Sequence, residues 1–344
     1  MSTKATIDAF EAWRSTGEPI VMVTVTKTAG STYSKAGHRI LIRANGDYCG
    51  LVSGGCLEGD LAERANEVRA TGKAHTFEYD LRDDADELWG MGIGCNGVIE
   101  VMLQRLDAES NYEPFATIAK CARIGRAAAC SVVIACEDKD VPIGATAIDW
   151  PGDSFAWRVK EPLDQERRNT ARSSGAPLLS QQDGLTILHA PIRKIPRLLI
   201  LGAGPDAVPL VRMAAELGWR VTLADHREAY INNAAFAPAE RRCLVTAGDI
   251  GDIGDLDTFM AAVIMTHHLD SDQAWLRALA PTNIDYVGLL GPLARRDRLL
   301  ADSVTATAFG DRLHGPVGLH IGADSPESIA LSILAEIQSV RGSM

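Results

Sequence analysis

The chain has 344 residues, too many for one ordinary hydrophobic core, and its 46% hydrophobic and 23% charged residues are typical of a globular protein with two domains. A net charge of -11 opposes binding to phosphate backbones and anionic lipid, and no basic patch offsets it, which excludes nucleic acid and membranes as expected partners. No apolar run has the length of a signal peptide or a membrane span, so we expect a cytoplasmic protein.

Residues 1–190 predict a mixed α+β domain. Helical spacing of apolar residues predicts helices over 7–16, 57–72 and 112–126, and an Asn45-Gly46 step between two apolar runs predicts a hairpin. Apolar, β-branched runs predict strands at 20–28, 75–79, 97–106, 128–137 and 144–150. Residues 151–183 are polar and rich in turn formers, which predicts loops or an irregular helix. No internal repeat is recognisable in the sequence.

Residues 191–344 predict a Rossmann-like domain with a doubly wound parallel sheet. The stretch from Arg197 to Asp225 reads as strand, glycine turn, helix and strand, and further strands and helices alternate after it. Gly202, Gly204 and Ala207 form a G-x-G-x-x-A pattern, in which small residues let backbone N–H groups approach a pyrophosphate. Asp225 ends the second strand, where an acid can bind ribose hydroxyls or simply cap a turn.

Further polar and small residues are expected at the carboxyl edge of the same sheet. Thr266, His267, Gly288 and Gly291 follow or end later strands, and ligands of such sheets bind beyond that edge. His267 and His268 are adjacent, so their side chains point opposite ways. We expect one to face the cleft and the other to pack.

The stretch "VSGGCLEGD" places a cysteine in a glycine turn before a helix. Seven cysteines without a C-x-x-C pair indicate a reducing compartment and neither a disulfide framework nor a structural zinc site. A helix amino terminus favours an anion, so Cys56, preceded by Ser53, Gly54 and Gly55, is suited to the thiolate form. A small buried cysteine in a tight turn explains the same residues equally well.

A second cysteine lies in a similar setting. Cys95 stands between Gly94 and Gly97 in "GMGIGCNGVIEV", directly before a strand. Donors suited to an anion are present upstream at Ser31, Thr32, Lys35 and Arg39. The cysteines in apolar stretches are expected in the core: Cys49, Cys121, Cys130 and Cys136.

These blocks together resemble the XdhC/CoxI family, accessory proteins that mature xanthine dehydrogenase, carbon monoxide dehydrogenase and related molybdenum hydroxylases. The resemblance covers nearly the whole chain and includes "GSTYSKAGHRILIRANGDYCGLVSGGCLEGDL", "LLILGAGPDAVPLVRMAAELGWRVTLADHR", "VIMTHHLDSD" and "DRLHGPVGLHIGADSPESIALSILAEI". It implies a protein that binds the molybdenum cofactor, supports replacement of an oxo ligand by sulfur with a cysteine desulfurase, and delivers the product to an apo-hydroxylase. Such proteins are chaperones, not enzymes in the strict sense.

The resemblance also implies roles for particular residues. Cys56 and Cys95 become candidates to contact molybdenum or its dithiolene, within turns that contain Ser53, Gly54, Gly55, Gly94 and Gly97. The pterin phosphate, or the nucleotide of a dinucleotide form, suits the Gly202–Ala207 turn with Asp225 and His267. A ligand with a soft metal and an anionic tail would account for both features. Asn96 departs from the glycine that many relatives have at that position.

Two other functions remain open from the sequence. An NAD(P)-dependent oxidoreductase would use Gly202, Gly204 and Asp225, with His267 as proton donor, although no complete catalytic set is recognisable. A protein-binding module with a vestigial nucleotide fold would bind no small molecule. We expect a homodimer, because many accessory proteins with twofold sites assemble that way.

Overall fold

The computed structural model describes residues 2–82, 97–137, 141–159, 163–301 and 307–342. The predicted site residues Gly94 and Cys95 lie outside these ranges. The chain divides into two compact units, Met1–Lys194 and Ile195–Met344, where the sequence predicted a boundary near residue 190. Among the described residues, no helix combines the length and the apolar character that crossing a membrane requires.

The N-terminal unit begins with a five-stranded antiparallel sheet. Its central strand is an almost continuously buried β-branched run, and one face of the sheet packs on the helix that the sequence placed at 57–72. The strand order is β3-β2-β1-β5-β4. The elements are α1 (Thr3–Arg14), β1 (Ile20–Gly30), β2 (Arg39–Ile42), β3 (Tyr48–Cys49), α2 (Glu58–Thr71), β4 (His75–Asp80) and β5 (Gly97–Leu106).

A second five-stranded antiparallel sheet completes this unit, with the order β8-β7-β6-β10-β9. Its elements are α3 (Phe115–Ile124), β6 (Ala128–Cys136), β7 (Thr146–Trp150), β8 (Asp153–Trp157), α4 (Gln165–Ser174), β9 (Leu178–Gln182) and β10 (Leu185–Ile192).

The two sheets have the same topology. Each follows one helix with three strands, a second helix and two strands, and each places its first strand in the centre between its second and fifth. The sequence showed no internal repeat, so the structure corrects that interpretation. A repeat of this kind is defined by strand pairing, which different side chains can satisfy.

The polar stretch 151–183 also differs from expectation. It forms β8, α4 and β9 where the sequence predicted loops or an irregular helix. β8 and β9 are the two edge strands of the second sheet and are mostly exposed, and α4 buries only Arg168 and Ala171. Because so few positions are buried, the apolar periodicity that identifies such elements is weak here.

The C-terminal unit has the predicted doubly wound architecture. A six-stranded parallel sheet has the order β13-β12-β11-β14-β15-β16, with apolar cores on both faces. The strand order reverses between β11 and β14, where such sheets bind ligands. The elements are β11 (Arg197–Leu201), α5 (Ala207–Glu216), β12 (Arg220–Asp225), α6 (Glu228–Ile231), β13 (Arg241–Leu244), β14 (Ala261–Ile264), α7 (Leu269–Leu279), β15 (Tyr286–Leu289), α8 (Leu293–Leu299), β16 (Leu313–His314) and α9 (Pro326–Gly342).

Candidate functional site

Cys56 is exposed at the end of a glycine turn, two residues before the first helical residue of α2. Gly54 and Gly55 have φ angles of 80° and 118°, a region in which residues with a Cβ are strained. The two glycines therefore let the chain turn sharply between β3 and α2. The result is a thiol presented to solvent, and the alternative of a buried packing cysteine is not what the structure has.

The turn is held by the side chain of Glu58, which the sequence did not single out. One carboxylate oxygen accepts hydrogen bonds from the amides of Val52 (2.7 Å) and Ser53 (3.1 Å). The other accepts from the Ser53 hydroxyl (2.9 Å) and the Gly55 amide (2.9 Å). Glu58 is only 1% exposed. The turn thus already contains an anion, supplied by the protein itself.

These donors determine the ionisation of Glu58. Burial alone would raise the pKa of its carboxyl, but hydrogen bonds from the Ser53 and Val52 amides and the Ser53 hydroxyl favour the charged form and leave the pKa below its ordinary value. Glu58 is the first helical residue of α2, where a negative charge is also favoured by the helix dipole. The sequence signal that could have identified Glu58 is a carboxylate at the first position of a helix that follows a glycine turn.

The loop from Ser31 to His38 joins β1 to β2. It contacts both the Cys56 turn and the beginning of β5. The Ser34 hydroxyl donates to the Leu51 carbonyl (2.9 Å), and a Cβ placed on Gly54 would lie 3.8 Å from the ring of Tyr33. At the other end of the loop, a Cβ on Gly97 would lie 2.8 Å from the Ser31 carbonyl oxygen. Gly97 is therefore required for close packing, and it lies near the loop that contacts the Cys56 turn.

The other donors predicted upstream of Cys56, in this loop and at the start of β2, have mixed positions. Lys35 is exposed, but the Thr32 hydroxyl donates to the Ser34 carbonyl (2.9 Å). The guanidinium of Arg39 donates to the Cys130 sulfur (2.8 Å) and the Gly37 carbonyl (3.2 Å). Arg39 therefore points toward the second sheet and is not a free anion ligand, which corrects its assignment.

The cysteines expected in the core are less exposed than Cys56. Cys49, Cys121 and Cys130 are buried, and Cys136 is half-buried. Burial raises the pKa of Cys49 and raises that of Cys121 to about 12, so both thiols stay protonated at neutral pH.

In the C-terminal unit, the glycine turn after β11 is tightly packed. Gly202 has a φ of 121°, and a Cβ there would lie 2.6 Å from the Met265 carbonyl oxygen. Ala207 is the first residue of α5 and is fully buried. Both small residues are thus required by the approach of neighbouring backbone and core.

Asp225 is buried at the end of β12 and makes contacts within the protein. It accepts from the Ala203 amide (2.7 Å) and from two nitrogens of the Arg227 guanidinium (2.9 and 2.7 Å). Burial would raise the pKa of this carboxyl, but the hydrogen bonds from Arg227 and Ala203 lower it below its ordinary value. In this arrangement Asp225 fixes the glycine turn and positions Arg227.

A histidine and a carboxylate occupy the mouth of the adjacent cleft. His267 Nε2 lies 2.7 Å from a carboxylate oxygen of Asp206, and His267 has a left-handed φ of 60°. Both residues line a cleft of about 630 Å³ together with Gly204, Arg212, Arg227, Tyr230 and Thr266. Asp206 precedes α5, where a pyrophosphate would approach; it was not recognised from the sequence although it stands inside the glycine pattern.

The remaining residues predicted at the carboxyl edge of the parallel sheet lie in different environments. Gly291 lines a neighbouring cavity of about 480 Å³, which also contacts Asp206 and His267. Gly288 packs against Tyr286 and Val317. His268 is exposed, which contradicts the expectation that it packs, because β14 ends at Ile264 and the histidines follow it in a loop. Within the described residues, no three His, Cys, Asp or Glu side chains are grouped to hold a metal ion directly.

Protein-family models match a part of each of the two units. A family model described as the XdhC Rossmann domain matches residues 198–337, and one described as the XdhC and CoxI family matches residues 13–80. A Bacillus subtilis protein named as a probable subunit of xanthine dehydrogenase is 34% identical over 94% of this chain and 94% of its own length. The Escherichia coli molybdenum cofactor insertion chaperone PaoD is 23% identical over 94% of this chain and 84% of its own.

A solved structure extends the agreement to the whole fold. The crystal structure of a protein described as a xanthine dehydrogenase from Bacillus halodurans superposes with a TM-score of 0.81 at 29% identity, covering 98% of this chain and 96% of that one. Full-length similarity to the B. subtilis protein, together with the two family models, shows that the chain belongs to the XdhC and CoxI family.

Proposed function

We propose that this protein is a maturation factor that binds the molybdenum cofactor, supports its sulfuration with a cysteine desulfurase, and delivers it to a xanthine dehydrogenase-type hydroxylase. The observation that carries the proposal is the exposed Cys56 thiol on a turn fixed by the buried Glu58 carboxylate. The names of the B. subtilis and E. coli relatives support the same role.

The donor set at the turn fits such a cargo. Molybdenum with sulfur ligands is a soft centre, and thiolate is the protein ligand that soft metals prefer. Glu58 uses the amides of Val52, Ser53 and Gly55, so the turn presents a thiol to the cargo and keeps its backbone donors for its own shape. We assign to Ser53, Gly54 and Gly55 the role of holding Cys56 in position. Cys95 and Gly94, outside the described residues, remain proposed ligands on the strength of the family motif.

The cleft beside Gly204 is the proposed site for a phosphate or nucleotide. Arg212 and Arg227 supply positive charge there, and α5 directs its amino terminus toward it. Asp206 opposes an incoming phosphate by its negative charge, and the contact with His267 offsets that charge when the imidazole is protonated.

The second candidate, an NAD(P)-dependent oxidoreductase, would use this same cleft. An arginine at the end of the second strand is the feature that accommodates the 2′-phosphate of NADP, and Arg227 occupies that place. The engagement of both Asp225 oxygens by Arg227 makes NADP(H) the better probe than NAD(H).

The test is retention of the cofactor by the full chain under anaerobic conditions. We expect the purified protein, mixed with molybdenum cofactor, to retain molybdenum and pterin after gel filtration, as measured by elemental analysis and pterin fluorescence. Cys56→Ser and Cys95→Ser should each retain less molybdenum, and Cys136→Ser, a half-buried control in the second sheet, should match the wild type. Unchanged retention in both site variants would refute the assignment of the thiols.

Two further measurements separate the alternatives. Transfer to an apo-hydroxylase, with and without a cysteine desulfurase and cysteine, tests delivery and sulfuration. Turnover of NADPH without molybdenum retention would favour the oxidoreductase. Light scattering on the same samples tests the expected homodimer.

A further inference from the structure

A groove of about 680 Å³ opens between the two sheets of the N-terminal unit. Its volume is in the range of small-molecule sites. One side is formed by β1, β4 and β5 of the first sheet, and the other by β9 and β10 of the second. The groove is distinct from the Cys56 turn and from the cleft of the C-terminal unit.

The side formed by the first sheet is charged and contains a carboxylate that is open to a ligand. Glu78 and Glu100 are direct cross-strand partners on β4 and β5, and such like-charge pairs destabilise a sheet. Glu100 is neutralised by Lys27 (3.0 Å) and accepts from the Thr26 hydroxyl (2.7 Å). Glu78 makes no hydrogen bond with any residue that the structure describes; the Arg82 guanidinium, which also lines the groove, interacts with its charge but donates its hydrogen bonds to Asp80. One carboxylate therefore lines the groove with its lone pairs available.

The opposite side is apolar. It is formed by Pro177, Leu178, Leu179 and Leu188, and Leu179 is 43% exposed. An exposed leucine on a polar edge strand, facing charged side chains across an open groove, leaves apolar surface in water. A ligand that covers this side must be apolar on its face, and one that satisfies Glu78 must donate hydrogen bonds from its edge.

A 2-amino-4-oxopyrimidine ring, the part that pterin and guanine share, meets both requirements. Its faces are flat and apolar, and its ring N–H and amino group are adjacent parallel donors that match the two oxygens of a carboxylate. We propose that this groove binds the pterin ring of the cofactor, with Glu78 accepting from those two donors. This inference rests on the proposed function.

The position of the groove favours pterin over guanine. Ala36 borders the groove, and Tyr33, three residues earlier, borders Gly54 of the Cys56 turn. Three residues span at most about 10 Å. The loop that contains Tyr33 and Ala36 therefore borders both the groove and the Cys56 turn, an arrangement suited to a cofactor that carries its metal close to its pterin.

The experiment measures binding of the fluorescent probe 6-hydroxymethylpterin to the full chain by equilibrium dialysis. The lumazine analogue, in which a carbonyl replaces the 2-amino group, and guanosine are run beside it. We expect pterin to bind at least tenfold more tightly than lumazine and no more weakly than guanosine, whose base presents the same donor edge. Glu78→Gln should remove the preference over lumazine, and Glu63→Gln, an exposed glutamate on α2, should preserve it. Ala29→Phe, which fills the groove from an exposed position, should abolish pterin binding.

The outcomes distinguish this inference from the proposed function. If Glu78→Gln and Ala29→Phe bind pterin as the wild type does, or if lumazine binds equally well, the groove assignment is overturned. Tighter binding of guanosine would assign the groove to a nucleotide and also overturn it. If the wild type retains molybdenum cofactor and Ala29→Phe retains as much, the proposed function stands without the groove. Absence of cofactor retention by the wild type refutes the proposed function itself.

Discussion

Replacing Glu58 by Gln is expected to loosen the Cys56 turn while keeping the size of the side chain. Each carboxylate oxygen accepts two hydrogen bonds, from Val52 and Ser53 amides on one side and from the Ser53 hydroxyl and Gly55 amide on the other. The amide nitrogen of glutamine cannot accept, so two donors lose their partner. The Ser53 hydroxyl can rotate to accept instead, whereas the Gly55 N–H cannot.

The expected loss is about 2–4 kcal/mol of unfolding free energy. An unsatisfied buried donor costs about 1–3 kcal/mol. The two hydrogen bonds that the glutamine carbonyl keeps are also weaker, by about 1 kcal/mol in all, because their acceptor is no longer charged. Urea unfolding monitored by far-UV circular dichroism measures the total. Hydrogen exchange of peptides covering residues 50–60 shows whether the loss is in the turn. Glu63→Gln, exposed on the same helix, should change the unfolding free energy by less than about 0.5 kcal/mol.

The loss of unfolding free energy in Glu58→Gln is expected to depend on pH. Because the folded pKa of Glu58 lies below its ordinary value of 4.5, its stabilisation is fully present above that pH and is lost as pH falls through the folded pKa. The difference between wild type and Glu58→Gln should therefore be constant near neutrality and decrease below 4.5. A difference under about 0.5 kcal/mol at neutral pH, or one that does not change on acidification, would refute the role given to this carboxylate.

Three further predictions concern the two units. Burial lowers the pKa of His189 from 6.5 to about 4, so unfolding takes up a proton in that window and the N-terminal unit should lose stability as pH falls through it; His189→Gln should flatten this slope in urea titrations, and an equal slope would contradict the reasoning. Arg168→Met leaves the buried Asp149 carboxylate without its ion pair and should cost about 3–5 kcal/mol by urea unfolding, with part of the loss recovered by Asp149→Asn in the same chain. Gly202→Ala should cost the C-terminal unit about 2–4 kcal/mol of unfolding free energy in the same assay, because Gly202 has a φ of 121° and a Cβ there would meet backbone atoms. A Cβ on Gly204 would meet only the movable Asp206 side chain, so Gly204→Ala should cost less than about 1 kcal/mol. Equal losses would show that the turn is not built as described.

The parts of the fold that the sequence predicted are those with strong local signals. The segment from Arg197 to Asp225 was recognisable because a continuous apolar strand, a glycine turn and an amphipathic helix follow one another. Similarly, α2 ends before Gly72, whose left-handed conformation is typical of a glycine at a helix end. The edge strands β8 and β9 were missed because their exposed residues lack any strong alternation of polarity. Local patterns reveal burial, and edge strands have little of it.

The candidate site was predicted less completely, since its polar partners are set by packing. Cys56 and its glycines were identified from their order in the chain, but the sequence does not show that Glu58 turns back to bind them. Asp206 stands at a variable position of the glycine pattern and was not singled out from the sequence, although its contact with His267 lies at the mouth of the cleft. Pairs such as this one, 61 residues apart, form only when β11 and β14 become neighbours.

The two repeats of the N-terminal unit use the helix that follows their third strand in different ways. In each repeat the helix after the third strand buries one charged side chain, Glu58 in α2 and Arg168 in α4. Arg168 binds Asp149 and Ser131, which lie on strands of its own sheet, and so attaches the helix to the sheet. Glu58 binds the turn that precedes its helix, and α2 packs on its sheet through apolar residues instead. The buried charge is the first residue of α2 and the fourth residue of α4. It shapes the Cys56 turn in the first repeat and stabilises packing in the second, because only the second repeat relies on its charge for attachment.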